Sequence, residues 1–124
     1  MKPLKGLRLL VVDDDDDLRE MMADEFGYAG AEVFKAAGGN EALEMLATVD
    51  IQAVVTDLKM PNGDGMSILR GVQTLKNPPR ALVVVTGFSD ISNDEFTKNG
   101  ATAIFPKPFD FAEVILSLRK TLQF

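Results

Sequence analysis

Carboxylates, a hydroxyl and an ammonium group stand in this sequence where short apolar runs end. Asp13 and Asp14 follow the first run, and Asp57 follows another that is rich in β-branched residues. Short apolar runs closed by turn residues are typical of buried strands. Thr86 ends a third run and Lys107 follows a fourth. Because the carboxyl ends of parallel strands meet at one edge of a sheet, where open α/β sheets bind their ligands, we expect these side chains to converge.

Carboxylates that converge in this way predict a divalent cation. Three carboxylates packed together repel one another, and ionising all of them is costly without a positive charge nearby. The chain has no cysteine and no histidine, so a metal must bind through oxygen, which favours Mg²⁺, Mn²⁺ or Ca²⁺. The lack of histidine also excludes a histidine general base and a phosphohistidine of the chain's own.

A carboxylate beside a metal, together with a hydroxyl and an ammonium group, forms a site for a phosphoryl group in transfer. The cations neutralise the phosphoryl oxygens, and the hydroxyl donates a hydrogen bond to them. In this arrangement Asp57 is the nucleophile, Thr86 supplies the hydroxyl and Lys107 supplies the ammonium.

Hydrophobic periodicity predicts the elements that position these side chains. Five apolar runs alternate with five segments of helical spacing. This alternation predicts one parallel sheet with helices on both faces, joined by right-handed crossovers, which is a three-layer α/β fold. The predicted strands are Leu7–Val12, Glu32–Ala36, Ile51–Thr56, Leu82–Thr86 and Ala103–Phe105.

Each predicted helix has start or stop signals of its own. Asp15 or Asp16 caps the first helix, and a proline pair stops the third. Asn40 caps the second and Asp110 the fifth. Poor helix formers predict a short or loose fourth helix within Asp90–Asn99. The predicted inward residues are Leu18, Met21, Met22, Phe26 and Ala29 in the first helix, Ala42, Leu43, Leu46 and Ala47 in the second, Ile68, Leu69, Val72 and Leu75 in the third, and Phe111, Val114, Ile115, Leu118 and Leu122 in the fifth.

Length and composition indicate one ordinary globular domain. The chain has 124 residues, of which 46% are hydrophobic and 26% charged, enough for an apolar core and against disorder. The net charge of −6 disfavours nucleic acid or an anionic membrane surface as the direct partner. No apolar run approaches the roughly 18 residues of a membrane span. The N-terminus leads into no signal-type stretch, so a cytoplasmic protein is expected.

Four short motifs stand at the ends of the predicted strands: Val11–Asp14, Asp57–Pro61 followed by Gly65, Thr86–Gly87 and Lys107–Phe109. Each motif alone is weak, but all four in this order are highly specific. Over essentially its whole length the sequence resembles the response regulator receiver domains of two-component signalling. The resemblance implies one receiver domain over residues 1–124, CheY-like and flavodoxin-like, with strand order 2-1-3-4-5.

The resemblance also implies how a metal is held. Asp14 and Asp57 would bind Mg²⁺ directly, with the main-chain carbonyl of Lys59 as the third protein ligand. Asp13 would act mainly through bound water. The implied cofactor is therefore Mg²⁺, on a set of oxygen ligands from two strand ends and one loop.

In the same resemblance Asp57 is the phosphoacceptor. It would take a phosphoryl group from the phosphohistidine of a sensor histidine kinase or phosphotransfer protein. Lys107 would pair with that group, and Thr86 would move to meet it. Receiver domains usually carry Tyr or Phe three residues before this lysine, whereas Ile104 stands here and Phe105 falls on the opposite face of the strand. The usual aromatic readout is therefore not expected.

The predicted function is that of a phosphorylation-controlled switch rather than an enzyme. Phosphorylation would shift the states of the face made by the fourth helix, fifth strand and fifth helix, and so change binding to a protein target. The chain would be a monomer, or a weak dimer through that face. One alternative is a receiver-like docking module that is never phosphorylated. A less favoured one is a Mg²⁺-dependent phosphohydrolase, which needs a second carboxylate where Lys59 stands.

Overall fold

The chain forms one sheet of five parallel strands in the order β2–β1–β3–β4–β5. The computed structural model describes residues 2–58, 60, 64–87 and 93–124, with the backbone alone from 93 to 95. The predicted fold class and strand order are confirmed, and no strand end differs from its prediction by more than two residues. The strands are β1 Arg8–Val12, β2 Glu32–Ala36, β3 Ala53–Asp57, β4 Ala81–Thr86 and β5 Ala103–Pro106.

A helix follows each strand, and the first four helices carry the chain back to the start of the next strand. The carboxylates of Asp15 and Asp110 accept main-chain N–H groups of the first turns of the first and fifth helices, so these caps are confirmed. None of the helices in the described part of the chain is long and apolar enough to cross a membrane. The helices are α1 Asp16–Tyr28, α2 Gly39–Thr48, α3 Gly65–Val72, α4 Asn93–Lys98 and α5 Phe111–Leu122.

Two apolar cores hold the helices against the sheet, one on each face. Alternate residues of a strand point to opposite faces, so neighbours in β1 enter different cores. Leu10 and Val12 pack with residues of α2, α3 and α4, whereas Leu9 and Val11 pack with residues of α1 and α5. Each fully buried side chain of this kind contributes about 1.5–3 kcal/mol. The cores therefore stabilise the fold, and the polar edge of the sheet is left for chemistry.

The strand register brings the predicted site residues to that edge. Asp57 is opposite Val85, so Thr86 lies one residue farther along the same edge. The Lys107 N–H donates to the Thr86 carbonyl at 2.8 Å, which continues the pairing of β4 and β5 one step beyond the strands. Asp13 comes directly after β1, the neighbour of β3. Four strand ends thus present their polar residues side by side.

The predicted cap of α2 is wrong. The helix begins one residue before Asn40, after an extended Gly38 with φ −170°, and no side chain caps it. Instead the carboxylate of Glu41 accepts the N–H of Ala37 at 3.2 Å. A glycine pair lets the chain turn into the helix without a capping side chain, so the asparagine falls inside the first turn.

Two inward positions are also wrong. Met21 has 52% of its surface exposed, and Ala47 is exposed as well. Their neighbours Met22 and Leu46 are buried and occupy the positions that face the sheet. In both α1 and α2, the sequence pattern marks more apolar positions as inward than the helix face that packs against the sheet can hold.

The ends of α3 and α4 depend on local hydrogen bonds. The α3 helix stops at Val72 rather than continuing to Leu75, and the Thr74 hydroxyl donates to the Gly71 carbonyl at 2.7 Å. A threonine that bonds the preceding turn competes with helix continuation. The α4 helix has only six residues, as its weak propensity predicts. Its predicted start at residue 90 lies outside the described residues.

Candidate functional site

Asp13 is held on all sides by protein donors and acceptors. Only 1% of its surface is exposed. Its Oδ1 accepts the N–H of Asp15 at 2.9 Å, and its Oδ2 accepts from the Lys107 ammonium at 3.2 Å. Its own N–H donates to the Ala36 carbonyl at 3.2 Å. Because both carboxylate oxygens are engaged, the residue is better placed to act on a metal through bound water than as a direct ligand.

Lys107 joins the ends of β1 and β3. Its Nζ lies 3.2 Å from Asp13 Oδ2 and 3.3 Å from Asp57 Oδ2. The exposed fraction is 25% for the lysine side chain, 1% for Asp13 and 14% for Asp57. One ammonium therefore faces two carboxylates that are largely shielded from water, and the pocket keeps a surplus of negative charge.

The pKa values of Asp57 and Lys107 are both raised in this pocket. Burial raises the pKa of Asp57, the Lys107 ammonium opposes this rise without cancelling it, and the Asp13 carboxylate adds to it. Burial by itself lowers the pKa of Lys107, but the two carboxylates outweigh burial and the pKa is raised. The lysine is thus charged at neutral pH, while ionised Asp57 lacks part of the positive charge that would stabilise it.

The donor set fits a hard divalent cation. One carboxylate oxygen each from Asp13, Asp14 and Asp57 lie within 4.8 Å of one another. Neighbouring oxygens around octahedral Mg²⁺ are about 3 Å apart and opposite ones about 4 Å, so the carboxylates need to close by up to about 2 Å. Asp14 is exposed and free of a described partner, so its carboxylate can make that movement. A cation here would also supply the charge that ionised Asp57 lacks.

The loop after β3 returns close to its starting point. The Leu58 N–H donates to Asp57 Oδ1 at 2.7 Å, which orients the carboxylate, and the Gly65 N–H donates to the Leu58 carbonyl at 2.7 Å. Asp64 then caps α3 through its side chain, as expected of turn chemistry and not of a metal ligand. Lys59, whose carbonyl was the predicted third ligand, lies outside the described residues.

Thr86 ends β4 beside Asp57, and Ile104 lies in the neighbouring β5, two residues before the end of that strand. Thr86 is 5% exposed at the end of β4. Ile104 packs against the core on the α2–α3–α4 face, whereas Phe105 packs against the core on the α1–α5 face. The predicted separation of these two side chains is confirmed, and the aromatic ring of β5 lies across the sheet from Ile104.

One contact to the loop after β1, made by the side chain of Arg19 in α1, was not predicted. Arg19 donates from Nη1 to the Asp13 carbonyl at 2.9 Å and from Nη2 to Asp16 Oδ1 at 2.6 Å. The three-residue spacing of Asp16 and Arg19 on a helix is a sequence signal for their ion pair. The contact with the main chain of Asp13 has no such signal, because it depends on how the loop turns.

We expect Lys107→Met to lower the free energy of unfolding by about 2 kcal/mol in EDTA, because it leaves the buried Asp13 carboxylate without its ammonium. Urea unfolding measures the loss, and added Mg²⁺ should recover part of it. Lys35→Met is the matched control, since Lys35 pairs with Glu20 at 2.9 Å on the exposed surface. That pair is worth less than about 1 kcal/mol. Equal losses in the two variants would contradict the prediction.

Comparison with known proteins shows which protein family this chain is similar to. The sequence profile of the response regulator receiver domain matches residues 9–119. The chain is 30% identical to regulatory protein AtoC of Escherichia coli over 117 residues, which cover 94% of this chain and 25% of that protein. It is 29% identical to sporulation initiation phosphotransferase F of Bacillus subtilis over 116 residues, 93% of each chain. The chain thus spans a quarter of one relative and nearly all of another.

A solved structure extends the similarity to three dimensions. The response regulator protein TrrA of Thermotoga maritima, in complex with Mg²⁺ and a beryllium fluoride, superposes with a TM-score of 0.82 at 27% identity. The superposition covers 93% of this chain and 98% of TrrA. The likeness in fold therefore extends over nearly the whole of both chains.

Proposed function

The chain belongs to the response regulator receiver domain family of two-component systems, and on that basis we propose that Asp57 is its phosphoacceptor. Membership supports phosphorelay signalling in general. The finer proposal is that residues 1–124 form one receiver domain that takes a phosphoryl group from a phosphohistidine on a kinase or phosphotransfer protein. The domain would be a signalling switch that catalyses only its own phosphorylation and dephosphorylation.

The observation that carries this proposal is the shared ammonium at the strand ends. Lys107 Nζ lies within 3.3 Å of Asp57 and within 3.2 Å of Asp13, beside the exposed Asp14. A structural ion pair needs one carboxylate, whereas here two largely buried carboxylates share one ammonium and a third lies close to them, which disfavours their ionised forms in the apo protein. An arrangement that costs stability at a polar edge of a sheet is the mark of a functional site.

In the proposed reaction an oxygen of Asp57 attacks phosphorus while the bond from phosphorus to the histidine nitrogen breaks. The electron pair of that bond stays on the imidazole, and the Leu58 N–H holds the attacking carboxylate in place. The Lys107 ammonium sits where it can move from Asp57 to the oxygens of the incoming group. Mg²⁺, held directly by Asp14 and Asp57 and through bound water by Asp13, would supply positive charge to the same oxygens. The Lys59 carbonyl is proposed as its third ligand.

Acetyl phosphate tests this proposal without any knowledge of the kinase. We expect the chain to be phosphorylated when Mg²⁺ is present and to show a retarded band in a phosphate-affinity gel. EDTA should abolish the band, because Asp57 then lacks its cation. A chain that stays unmodified and gives no amide shifts with Mg²⁺ and beryllofluoride would instead be a docking module that is never phosphorylated.

Thr86 is proposed to couple the site to the partner-binding face of α4, β5 and α5. The Thr86→Ala variant should still be phosphorylated, but the change in amide exchange over residues 93–106 on adding beryllofluoride should fall by about half or more. The hydroxyl is the group that can follow the phosphoryl oxygens, so Thr86→Ser, which keeps it, is the control. An alanine variant with the wild-type response would show that this threonine does not transmit the signal.

A further inference from the structure

Arg19 holds the loop between β1 and α1 through a two-pronged contact. Its side chain is only 16% exposed. The guanidinium donates to the main-chain oxygen of Asp13 at 2.9 Å and to Asp16 Oδ1 at 2.6 Å. A planar guanidinium fixes two acceptors in a defined relative direction, which the single ammonium of a lysine does not do. The loop that it holds carries the five consecutive aspartates 13–17.

The Asp13 oxygen belongs to the peptide group that joins Asp13 to Asp14. A hydrogen bond to this oxygen restrains the peptide plane from which the Asp14 side chain projects. The Asp14 carboxylate has no hydrogen bond or ion pair among the residues that the structure describes, although it lies within 4.8 Å of the Asp13 and Asp57 carboxylates. The main chain alone therefore sets its position.

Tethers on both sides of Asp14 fix that main chain. After it, the Asp15 N–H donates to Asp13 Oδ1 at 2.9 Å, and the Asp15 carboxylate caps α1. Before it, the Arg19 contact holds the Asp13 carbonyl. Without Arg19, mutual repulsion among neighbouring carboxylates favours a loop in which Asp14 turns toward solvent.

We propose that Arg19 is a positioning residue for the cation site, holding the Asp13–Asp14 peptide so that the Asp14 carboxylate faces Asp57. This inference rests on the proposed function, which requires Mg²⁺ at these carboxylates. Groups that orient metal ligands from behind typically change metal affinity by about 10–100-fold when they are removed. Loss of the guanidinium should therefore weaken Mg²⁺ binding by about tenfold.

A purely electrostatic role for Arg19 predicts the opposite result. The guanidinium carries a positive charge near a cation site, so its removal would strengthen Mg²⁺ binding if charge alone mattered. A merely structural role predicts lower stability with no change in Mg²⁺ affinity. The sign of the change in affinity therefore separates the three roles.

Magnesium titrations of the whole chain, followed by amide chemical shifts, provide the test. Arg19→Gln and Arg19→Lys should both show a dissociation constant for Mg²⁺ raised about tenfold. Arg8→Gln is the matched control. Arg8 makes the same kind of contact, to the main-chain oxygen of Asp50 at 2.6 Å and to its carboxylate at 2.8 Å, at the other end of β1. It should bind Mg²⁺ like the wild type.

Kinetics with acetyl phosphate give a second readout. In the Arg19 variants the half-saturating Mg²⁺ concentration should rise, while the phosphorylation rate at saturating Mg²⁺ stays near the wild-type value. If Arg19→Gln does not fold, Asp16→Ala removes one prong alone and should raise the dissociation constant about two- to threefold, less than the roughly 10–100-fold effect of removing a whole orienting group. Asp17→Ala, which removes the same charge from the same turn without removing a prong, is its control and should change the dissociation constant less.

The outcomes separate this inference from the function on which it rests. A wild-type chain that binds no Mg²⁺ overturns both. A wild-type chain that binds Mg²⁺, with Arg19→Gln binding as tightly or more tightly, overturns the positioning role alone. Full recovery of affinity in Arg19→Lys also overturns it, because charge would then suffice without the fork. Weaker binding in both Arg19 variants and unchanged binding in Arg8→Gln support it.

Discussion

Replacing Asp57 with asparagine is expected to abolish phosphorylation by acetyl phosphate and by any kinase. The amide has nearly the same size and shape, but it is not a nucleophile toward phosphorus, so the expected loss is complete rather than partial. The change also removes one of the two carboxylates that share the Lys107 ammonium. Because burial raises the Asp57 pKa, the ionised group destabilises the apo fold at neutral pH, and this cost grows as pH rises through that pKa.

The asparagine variant should therefore fold at least as stably as the wild type in EDTA, which separates lost chemistry from lost structure. Phosphate-affinity gels and thermal unfolding measure the two properties on the same samples. Asp24→Asn, at an exposed position of α1, is the control and should keep the wild-type phosphorylation. If the Asp57→Asn variant is still phosphorylated, the phosphoacceptor must be another carboxylate of the pocket, and Asp14 would be the first to test.

Gly65→Ala is expected to damage both the fold and the site. A Cβ on this residue would lie 2.6 Å from the main-chain oxygen of Asp57 and 3.1 Å from the Cα of Leu58. Both neighbours are backbone, so relief requires the loop after β3 to move. Overpacking of this kind costs about 1–3 kcal/mol. Since a displacement of about 1 Å at a reacting group can cost about a hundredfold in rate, phosphorylation should slow by at least tenfold.

Gly27→Ala is the matched control for this substitution. Gly27 lies inside α1, and an added Cβ would have nothing within 4 Å. The change should stabilise the protein by up to about 1 kcal/mol, because alanine favours the helix over glycine. Urea unfolding and time courses with acetyl phosphate check both variants. Wild-type stability and rate in Gly65→Ala would show that the loop has more room than the backbone distances allow.

The side chains of β5 affect how a change on phosphorylation would be transmitted from the site to α4. Ile104 and Phe105 enter opposite cores, so the ring next to the α4 face is replaced by an aliphatic side chain. An isoleucine has no polar tip to exchange between buried and exposed positions. A signal through Thr86 would then have to reach α4 without the reorientation of an aromatic ring. The Thr86 variants and the amide exchange described above address this route.

Strand identity was predictable because it depends on local pattern. The run that ends at Asp57 is apolar and β-branched, and burial on both faces of a parallel sheet requires such a run. The order of functional groups along the chain then followed, since each stands directly after a strand. The caps at Asp15 and Asp110 were predictable for the same reason, because a capping carboxylate acts within one turn.

Other features of the structure could not be predicted from neighbouring residues in the sequence. Asn40 is a good capping residue, yet Gly38 and Glu41 decide where α2 begins. Met21 and Met22 are identical in type, and only the packing of α1 on the sheet exposes one and buries the other. These outcomes depend on surfaces contributed by distant segments, which no short window of sequence contains.

The sequence by itself determined which groups this protein brings to chemistry: oxygen ligands, a hydroxyl and one lysine, with no thiol or imidazole. Only the tertiary structure decided how they share charge. Lys107 contacts Asp57 and also Asp13, which is 94 positions away in the chain, and Arg19 contacts the Asp13 carbonyl in addition to the Asp16 side chain. The reason is physical: residue types follow from local sequence, whereas distances between charges depend on strand register and loop path, which the packed cores impose.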